Sequence, residues 1–222
     1  MPEAEKKRLE WDKTGERYYE NGVDQGVLFV QNKDGSYKNG VAWSGLTAVN
    51  QSTDGGEPTK LYADNMVYLT MYSAEEFNPT IECYTYPHEF GVCNGEVELD
   101  NGISISQQER VGFGFAYRTK IGNDVSGDAG YKIHLVYGAK ASPAEKNYET
   151  VNDNPDAITF SYETTTTPVA VTGFKPTAHL EISSLKVDSA KLKAFEDVLY
   201  GSATAASRLP MPDEVKELFA AG

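Results

Sequence analysis

The sequence predicts a mainly β protein with a β-sandwich or barrel-like core. Three observations favour this fold class. Apolar and polar residues alternate in several runs between Ile103 and Val171, turn-forming Gly, Asn and Asp separate the runs, and helical spacing of apolar residues appears only near the carboxyl end. We therefore expect a sheet-based core with one flanking amphipathic helix, a long hairpin loop and an N-terminal arm.

The strongest strand signal runs from Val111 to Ile121. Large apolar residues occupy alternate positions there, and mostly glycine, alanine and basic residues lie between them. The same alternation recurs in Tyr131–Tyr137 and in Ile158–Glu163. Each pattern predicts a half-buried antiparallel strand, and the glycine-rich segment Ile121–Gly130 predicts the hairpin that joins the first two.

Shorter strand-like segments surround these central runs. They are Gly26–Gln31, Val41–Val49, Leu61–Tyr62, Val67–Tyr72, Thr80–Tyr86 and Ala178–Ser183. Asn21-Gly22 is typical of a turn, and the polar segment Asn50–Pro58 predicts the tip of a long hairpin. Residues 1–14 are dense in mixed charge and predict a surface arm, while residues 15–222 predict a single β domain.

Two helices are predicted near the end of the chain. Asp188 is a suitable N-cap and Gly201 a suitable stop for a helix over about 188–200, whose buried stripe would be Leu192, Phe195 and Leu199. A short helix over about 212–220 begins with a proline and two acidic residues.

Composition excludes several functional classes. The chain has 222 residues and a net charge of -13, so its surface repels phosphate backbones and anionic membranes. The N-terminus has no apolar signal region, and no segment approaches the ~18 apolar residues of a membrane span. The two cysteines predict free thiols in a reducing compartment, and synthesis in the cytoplasm is expected.

Cys83, His88 and Cys93 are residue types that bind zinc. A structural zinc site needs four ligands, and no fourth candidate stands near them in the sequence. Two reduced thiols and a surface histidine explain the same residues, so we expect no metal and no cofactor.

His134 and His179 are the candidates for acid–base catalysis. Each occupies a polar position of its strand, and the chain lacks the Gly-x-Ser-x-Gly nucleophile motif that would support a catalytic role. A solvated or interface histidine is the commoner explanation. Gly112 and Gly114 lie inside a strand, where they indicate close backbone approach or a bend and not a phosphate loop.

Many segments in order resemble the major tail protein, or tail tube protein, of long-tailed bacteriophages and prophages. The resemblance spans nearly the whole chain, although no single motif is as specific as a zinc signature. The resembling segments are Thr14–Leu28, Gly40–Thr47, Leu61–Asn65, Tyr72–Phe77, Ile81–Pro87, Gly122–Asp124, Gly130–Gly138, Thr167-Pro168, Thr172–Pro176 and Arg208–Glu214.

The resemblance implies a structural protein of the virion, with no catalytic residues to carry over. Proteins of this family form hexameric rings that stack into a hollow tube around a tape-measure protein, with terminator and tail-tip proteins at the ends. Genome DNA passes through the bore without specific binding. The resemblance favours the non-contractile, siphovirus type of tail, assembled in the bacterial cytoplasm.

Two groups of residues are candidates for roles in such a tube. Contacts between subunits or rings are expected at residues that can order only against a neighbour: Leu9, Trp11, Asp54, Gly55, Gly56, Glu57 and Pro58. Acidic residues facing the lumen would keep DNA from adhering, and Glu82, Glu98 and Glu163 are the candidates on polar strand faces. Ordinary outer-surface positions explain these glutamates equally well.

An alternative function is a non-catalytic β-sandwich binding module that recognises carbohydrate or a protein receptor. Its binding surface would be the aromatic-rich segment with Tyr84, Tyr86 and Phe90. An enzyme that uses His134 or His179 is the third possibility.

Overall fold

The computed structural model describes residues 8–150 and 156–220. This part of the chain forms fourteen strands, one short 3-10 helix (His88–Asn94) and two α-helices. The strands are β1 (Tyr19–Val30), β2 (Val41–Trp43), β3 (Leu46–Asn50), β4 (Thr53–Gly55), β5 (Pro58–Ala63), β6 (Met66–Tyr72), β7 (Glu75–Phe77), β8 (Thr80–Cys83), β9 (Val97–Asp100), β10 (Ile103–Ile105), β11 (Phe113–Gly122), β12 (Gly130–Ala141), β13 (Phe160–Thr166) and β14 (His179–Ser183). The helices are α1 (Ser189–Leu199) and α2 (Pro212–Ala220).

The main sheet curls into a barrel-like shape, so the predicted fold class is confirmed. Its strand order is β2-β1-β11-β12-β13-β8-β3, and β14 pairs with β12. The predicted strand Val41–Val49 is in fact two strands, because the chain bends at Gly45, whose φ is 79°. Since β2 pairs with β1 and β3 pairs with β8, this bent segment connects the two edges of the sheet.

The inner face of the curled sheet holds an aromatic core. Phe90 and Cys93 of the 3-10 helix close one end of it, and both are 0% exposed. Trp43 and Phe90 rings lie 4.6 Å apart, and Phe90 and Tyr162 rings 4.8 Å apart. Tilted and edge-on ring contacts of this kind add stability beyond the burial of area.

The outer face carries a second core beneath the two helices. Leu192, Phe195 and Leu199 of α1 pack there against strands that include β11 and β12. The expectation that β11 is half-buried is therefore wrong, because Phe113–Tyr117 is buried on both faces. The predicted close approach holds at Gly114, where a Cβ atom would overlap Leu209 Cδ2 and lie 3.1 Å from the Tyr37 ring.

β1 begins seven residues earlier than the sequence predicts. It pairs with β11 from Tyr19 opposite Gly122 to Val30 opposite Phe113, with irregular register at two places. Asn21-Gly22 is not a turn, since it lies at the first of these irregularities, where Gly22 has a φ of 65°. Bulges of this kind bend a strand without ending it.

Both predicted helices are present. The Asp188 side chain accepts hydrogen bonds from the backbone N–H groups of Ala190 and Lys191, and this caps α1. α2 carries Asp213 and Glu214 in its first turn. No helix among the described residues is long and apolar enough to span a membrane.

Residues 51–78 form a long two-stranded projection, which we call the hairpin arm. β4 pairs with β7 and β5 pairs with β6, in line with the pairing of β3 and β8 in the barrel. The turn is Asp64-Asn65, with φ values of 50° and 63° that suit a tight hairpin. The expectation that Asn50–Pro58 forms the tip is therefore wrong, because this segment lies in the ascending strand of the arm.

The barrel has two different ends. β1 runs from Tyr19, beside the β11–β12 loop, to Val30, beside the 3-10 helix. β2 and β3 run the opposite way, so the hairpin arm leaves from the same end as Tyr19. We call this the arm end, and we call the end closed by the 3-10 helix the cap end.

Candidate assembly surfaces

The hairpin arm exposes apolar side chains on both of its faces. Leu61 lies opposite Leu69 on one face, and Tyr62 lies opposite Val67 on the other. Eight large apolar side chains of β5 and β6 are at least 43% exposed: Leu61, Tyr62, Met66, Val67, Tyr68, Leu69, Met71 and Tyr72. Exposed apolar surface beyond a few hundred Å² marks an interaction site.

The hairpin arm differs from the rest of the protein in charge as well. Between Pro58 and Tyr72 the only charged residues are Lys60 and Asp64, which cancel, whereas the whole chain carries -13. An uncharged two-stranded hairpin with both faces in water is marginal by itself. Its exposed strand edges are also a template for pairing with another chain.

The predicted contact residues Asp54 to Pro58 lie on the lower half of the hairpin arm. Asp54 and Gly55 belong to β4, and the Asp54 carboxylate accepts a hydrogen bond of 2.9 Å from Asn78 Nδ2 across the arm. Gly55 and Gly56 have φ values of 81° and 70°, so they turn the strand between β4 and β5. These residues orient the apolar β5–β6 segment.

The described part of the N-terminal arm, residues 8–14, lies on the surface, and residues 1–7 lie outside the described residues. Leu9 and Trp11 are 72% and 74% exposed. The arm is fixed at Gly15, whose N–H donates to Asp124 and whose carbonyl accepts from Asn123, each at 2.9 Å. Asp124, in the turn between β11 and β12, therefore holds the N-terminal arm.

The three candidate lumen glutamates do not lie together. Glu82 of β8 and Glu163 of β13 occupy the outer face of neighbouring strands, where Glu163 is exposed and Glu82 accepts a hydrogen bond from Asn50 Nδ2. Glu98 is on β9, in a separate two-stranded hairpin, and not on the central sheet as expected. The Glu98 carboxylate accepts from Gly102 N–H and lies 3.4 Å from His88.

His134 is buried and the half-buried His179 lies beside it, so the solvated alternative is wrong for His134. His134 is 3% exposed. His134 Nδ1 lies 3.1 Å from His179 Nε2, and His134 Nε2 lies 3.0 Å from Thr119 Oγ1. Both contacts are satisfied when His179 Nε2–H donates to His134 and His134 Nε2–H donates to Thr119.

The imidazole pair lies inside a stack of aromatic rings. Phe77 stacks on His179 at 4.7 Å, His179 on His134 at 5.4 Å, and His134 on Tyr117 at 4.6 Å. Gln51 donates a 2.6 Å hydrogen bond to the Tyr117 hydroxyl. Because Gln51 and Phe77 are the two ends of the hairpin-arm segment, the stack attaches the arm to the barrel.

Burial determines the charge of this histidine pair. Desolvation, followed by repulsion from His179, lowers the pKa of His134 to about 4, and desolvation also lowers the pKa of His179. The Glu181 carboxylate lies 4.0 Å from His134 Nδ1 and opposes the shift, but Lys132 pairs with Glu181 at 3.1 Å. Both imidazoles are therefore neutral at pH 7.

The two cysteines and His88 do not form a site. Cys83 and Cys93 are buried free thiols, and desolvation raises their pKa values to about 11 and about 12. His88 is on the surface. Within residues 8–150 and 156–220, no three His, Cys, Asp or Glu side chains lie close enough together to hold a metal ion.

The aromatic residues proposed for a binding module do not form a surface cluster. Tyr84 is 54% exposed, but Phe90 is 0% exposed in the inner core. The Tyr86 ring packs edge-on against Phe160 at 5.3 Å, and its hydroxyl accepts from Lys146 Nζ at 2.9 Å. Phe90 and Tyr86 are therefore part of the barrel packing, and only Tyr84 lies on the surface.

A groove that the sequence does not reveal lies at the cap end. Its volume is about 360 Å³, and it lies between the start of β2, the 3-10 helix and the β9–β10 hairpin. Val41 and Val92 contribute apolar surface, whereas Glu89, Glu98 and Ser104 contribute polar surface. Its residues come from four separate segments, so no local sequence pattern could have identified it.

Comparisons with known proteins give only weak likenesses. No protein-family model matches the chain, and no curated protein matches it. A chain of the PVC sheath/tube terminator of an extracellular contractile injection system, in the extended state, is 12% identical, with 79% of this chain and 99% of that chain covered and a TM-score of 0.33. A chain of the PVC sheath-tube complex in the extended state is 13% identical, with 72% and 88% covered and a TM-score of 0.32. TM-scores this low carry no weight for the fold or the function of the chain.

Proposed function

We propose that the chain is the structural subunit of a siphovirus-type tail tube. Copies associate into hexameric rings, and the rings stack into a hollow tube that encloses a tape-measure protein and conducts genome DNA. The ordered sequence resemblance to major tail proteins, from Thr14–Leu28 to Arg208–Glu214, is the basis for this kind of assembly. The observation that carries the proposal is the apolar hairpin arm, since it is a surface built to be covered.

Self-association explains the hairpin arm better than a soluble receptor-binding role. Two-faced exposure means that two different surfaces must contact the arm, as happens when a projection inserts between neighbours in a ring or stack. Identical subunits joined head to tail form rings or open helical tubes, depending on whether the rotation closes. In such an assembly each arm covers the neighbour's strand edges and removes its own exposed area from water.

Glu82 and Glu163 are proposed to face the lumen. They share the outer face of β8 and β13, and the α1 and α2 core lies against other strands of the sheet. Carboxylates on a tube wall repel DNA phosphates over about a Debye length, ~8 Å at physiological ionic strength. Glu98 is a weaker candidate because its hairpin is separate from this wall.

The proposal assigns the chain no catalytic role and no cofactor. His134 and His179 act in packing, because their ring nitrogens are hydrogen-bonded to each other and to Thr119. Partners are further copies of the chain, the tape measure, and terminator and tail-tip proteins. Assembly takes place in the bacterial cytoplasm, and the mature location is the virion.

Electron microscopy and sedimentation of the purified chain test this function. We expect rings or hollow tubes to form with increasing concentration. Tyr68→Glu places a charge on the arm, where Tyr68 is 74% exposed, and should prevent assembly without unfolding the monomer. Phe174→Glu is the matched control, since Phe174 is 72% exposed but lies outside the hairpin arm.

Two outcomes would contradict the proposal. One is a wild-type chain that remains a monomer or a small closed oligomer at every concentration, even when its expected partners are present. The other is an equal loss of assembly in Tyr68→Glu and Phe174→Glu, which would separate assembly from the hairpin arm.

A further inference from the structure

The exposed Trp11 of the N-terminal arm cannot reach the cap end of its own subunit. Gly15 is fixed to the β11–β12 loop at the arm end. The chain from Gly15 back to Trp11 spans at most about 14 Å when fully extended. Trp11 therefore stays near the arm end of the subunit that carries it, where its side chain is 74% exposed.

The groove lies at the other end of the same barrel. It is lined by Val30, the last residue of β1, whereas Tyr19, the first residue of β1, lies close to Gly15. The twelve residues of β1 separate the two positions by about 30 Å, after allowance for the irregular register. Trp11 of one subunit can thus reach only the groove of another subunit.

The shape of the groove suits an aromatic side chain. A volume of about 360 Å³ with valine walls accommodates an indole ring and part of a neighbouring side chain. Large aromatic side chains seated in a partly apolar pocket are typical anchors of protein interfaces. The leucine two residues before Trp11, Leu9, is equally exposed and supplies a second apolar contact.

A local run of basic residues favours the N-terminal arm over the hairpin arm as the occupant. The groove lining contains the glutamates Glu89, Glu96 and Glu98 against one lysine, and Glu96 also binds Lys146 outside the groove. The basic run Lys6-Lys7-Arg8 stands just before Leu9, while Glu10 and Asp12 flank Trp11. The hairpin arm has no such run, because Lys60 and Asp64 are its only charged residues between Pro58 and Tyr72 and they cancel.

We propose that the cap-end groove binds the Arg8–Trp11 segment of a second copy of this chain, with the Trp11 indole between the valine walls. The proposal rests on the self-assembly proposed above and specifies one of its contacts. It joins the arm end of one subunit to the cap end of the next. The contact is heterologous, so its repetition produces a directional stack.

Crosslinking between two single-cysteine variants tests the contact. Glu10→Cys places a thiol beside Trp11, and Ser104→Cys places one in the groove lining. One of the two chains carries a tag, so heterodimers separate from homodimers on a gel after treatment with a short bis-maleimide. Cys83 and Cys93 are 0% exposed with raised thiol pKa values, so they do not compete.

Two further pairs serve as controls. Glu10→Cys mixed with Phe174→Cys tests random collision, because Phe174 is exposed outside the groove and both arms. Met66→Cys mixed with Ser104→Cys tests the hairpin arm as the occupant, because Met66 lies at its tip. We expect heterodimers from Glu10→Cys with Ser104→Cys and only background from the two other mixtures.

A second measurement uses the native tryptophans. Trp43 is 2% exposed in the core, so a change of emission on assembly reports Trp11. In the wild type we expect a blue shift of the emission and reduced iodide quenching on assembly. Both changes should be absent in Trp11→Phe. Trp11→Ala should raise the concentration for half-maximal assembly by about thirtyfold, the loss typical of a truncated aromatic hot spot.

The outcomes separate this contact from the proposed function. Suppose that the wild type assembles. Crosslinking of Met66→Cys to Ser104→Cys, or no crosslinking of Glu10→Cys to Ser104→Cys, then overturns the groove assignment and leaves the self-assembly proposal intact. Unchanged assembly of Trp11→Ala also overturns it. A wild-type chain that never assembles overturns both proposals.

Discussion

At the scale of single residues, burial changes the role of the histidines. His134 occupies a polar position in the alternation of its strand, and strand pairing places it directly opposite Tyr117 of β11 and diagonal to His179 of β14. In a neutral state it accepts from His179 and donates to Thr119. A proton on Nδ1 would face His179 Nε2–H and the Gln51 amide at 3.4 Å, and both of these groups are donors. Acid therefore acts directly on the attachment of the hairpin arm.

This arrangement predicts a pH dependence of stability. The folded-state pKa of His134 lies near 4, below its ordinary value of 6.5, so the unfolded chain binds more protons between these values. The free energy of unfolding should fall as the pH falls from 6.5 to 4, by about 3 kcal/mol for a shift of this size. Urea denaturation across this range, for the wild type and for His134→Gln, measures it.

Carboxylates such as Asp24 also lose stabilising interactions in acid, since the Arg118 hydrogen bond lowers the pKa of Asp24. The informative quantity is therefore the difference between the wild-type and His134→Gln curves. The free energy of unfolding of the wild type should approach that of His134→Gln as the pH falls below 6.5. Parallel curves would show that His134 does not contribute to the acid sensitivity.

Gly138 gives a second prediction at this scale. It lies where β12 changes partner from β14 to β13, its φ is 59°, and an added Cβ would overlap the Thr167 carbonyl. Gly138→Ala should lower the free energy of unfolding by about 2–4 kcal/mol, from backbone strain and steric overlap together. Gly127→Ala is the control, because the nearest atom to its added Cβ is the Tyr19 hydroxyl oxygen at 3.9 Å and its φ is not positive. Similar thermal unfolding of both variants would contradict the prediction.

At the scale of elements, features set by neighbouring residues can be predicted from the sequence, whereas features set by tertiary packing cannot. α1 is specified by Asp188 and an apolar stripe within eleven residues, so its bounds follow from the sequence. Burial of both faces of β11 depends on helices about eighty residues later, and no pattern within β11 reports it. Sequence alone misplaces the hairpin turn, because Asn50–Pro58 contains two adjacent glycines, whereas the turn uses Asp64-Asn65 with positive φ values.

The N-cap of α1 gives a prediction for this element. Asp188→Ala removes acceptors for the backbone N–H groups of Ala190 and Lys191 and should cost about 1 kcal/mol of stability. Asp197→Ala in the same helix removes only an exposed ion pair with Lys193 and should lower stability by much less. Chemical denaturation compares them, and an equal effect of the two variants would refute the capping role.

At the scale of the whole molecule, the acidic wall can be tested by charge reversal. Glu82→Lys with Glu163→Lys should leave assembly intact and slow DNA release from reconstituted particles, because lysines in the proposed lumen attract phosphates and each such contact adds to affinity. The rate of DNA release after triggering is the measurement, at two salt concentrations. Higher salt should restore the rate, since it screens the contact.

The control for charge reversal is Asp197→Lys with Glu217→Lys, which places two lysines on the exposed faces of α1 and α2. This variant should release DNA at the wild-type rate. Normal release by Glu82→Lys with Glu163→Lys would remove these glutamates from the lumen. The candidate lumen residues could be named from the sequence as polar strand positions, but their separation into a pair and a distant Glu98 required the topology.

The placement of both projections at the arm end, with the groove at the cap end, has a consequence for how a stack would stop growing. Its two tips would be chemically unlike. One tip would present uncovered apolar hairpins and exposed N-terminal tryptophans, and the other would present vacant grooves. A protein that blocks the first tip must offer an acceptor surface, whereas a protein that blocks the second must offer a peptide with an aromatic side chain, so one surface of a capping protein could not serve both.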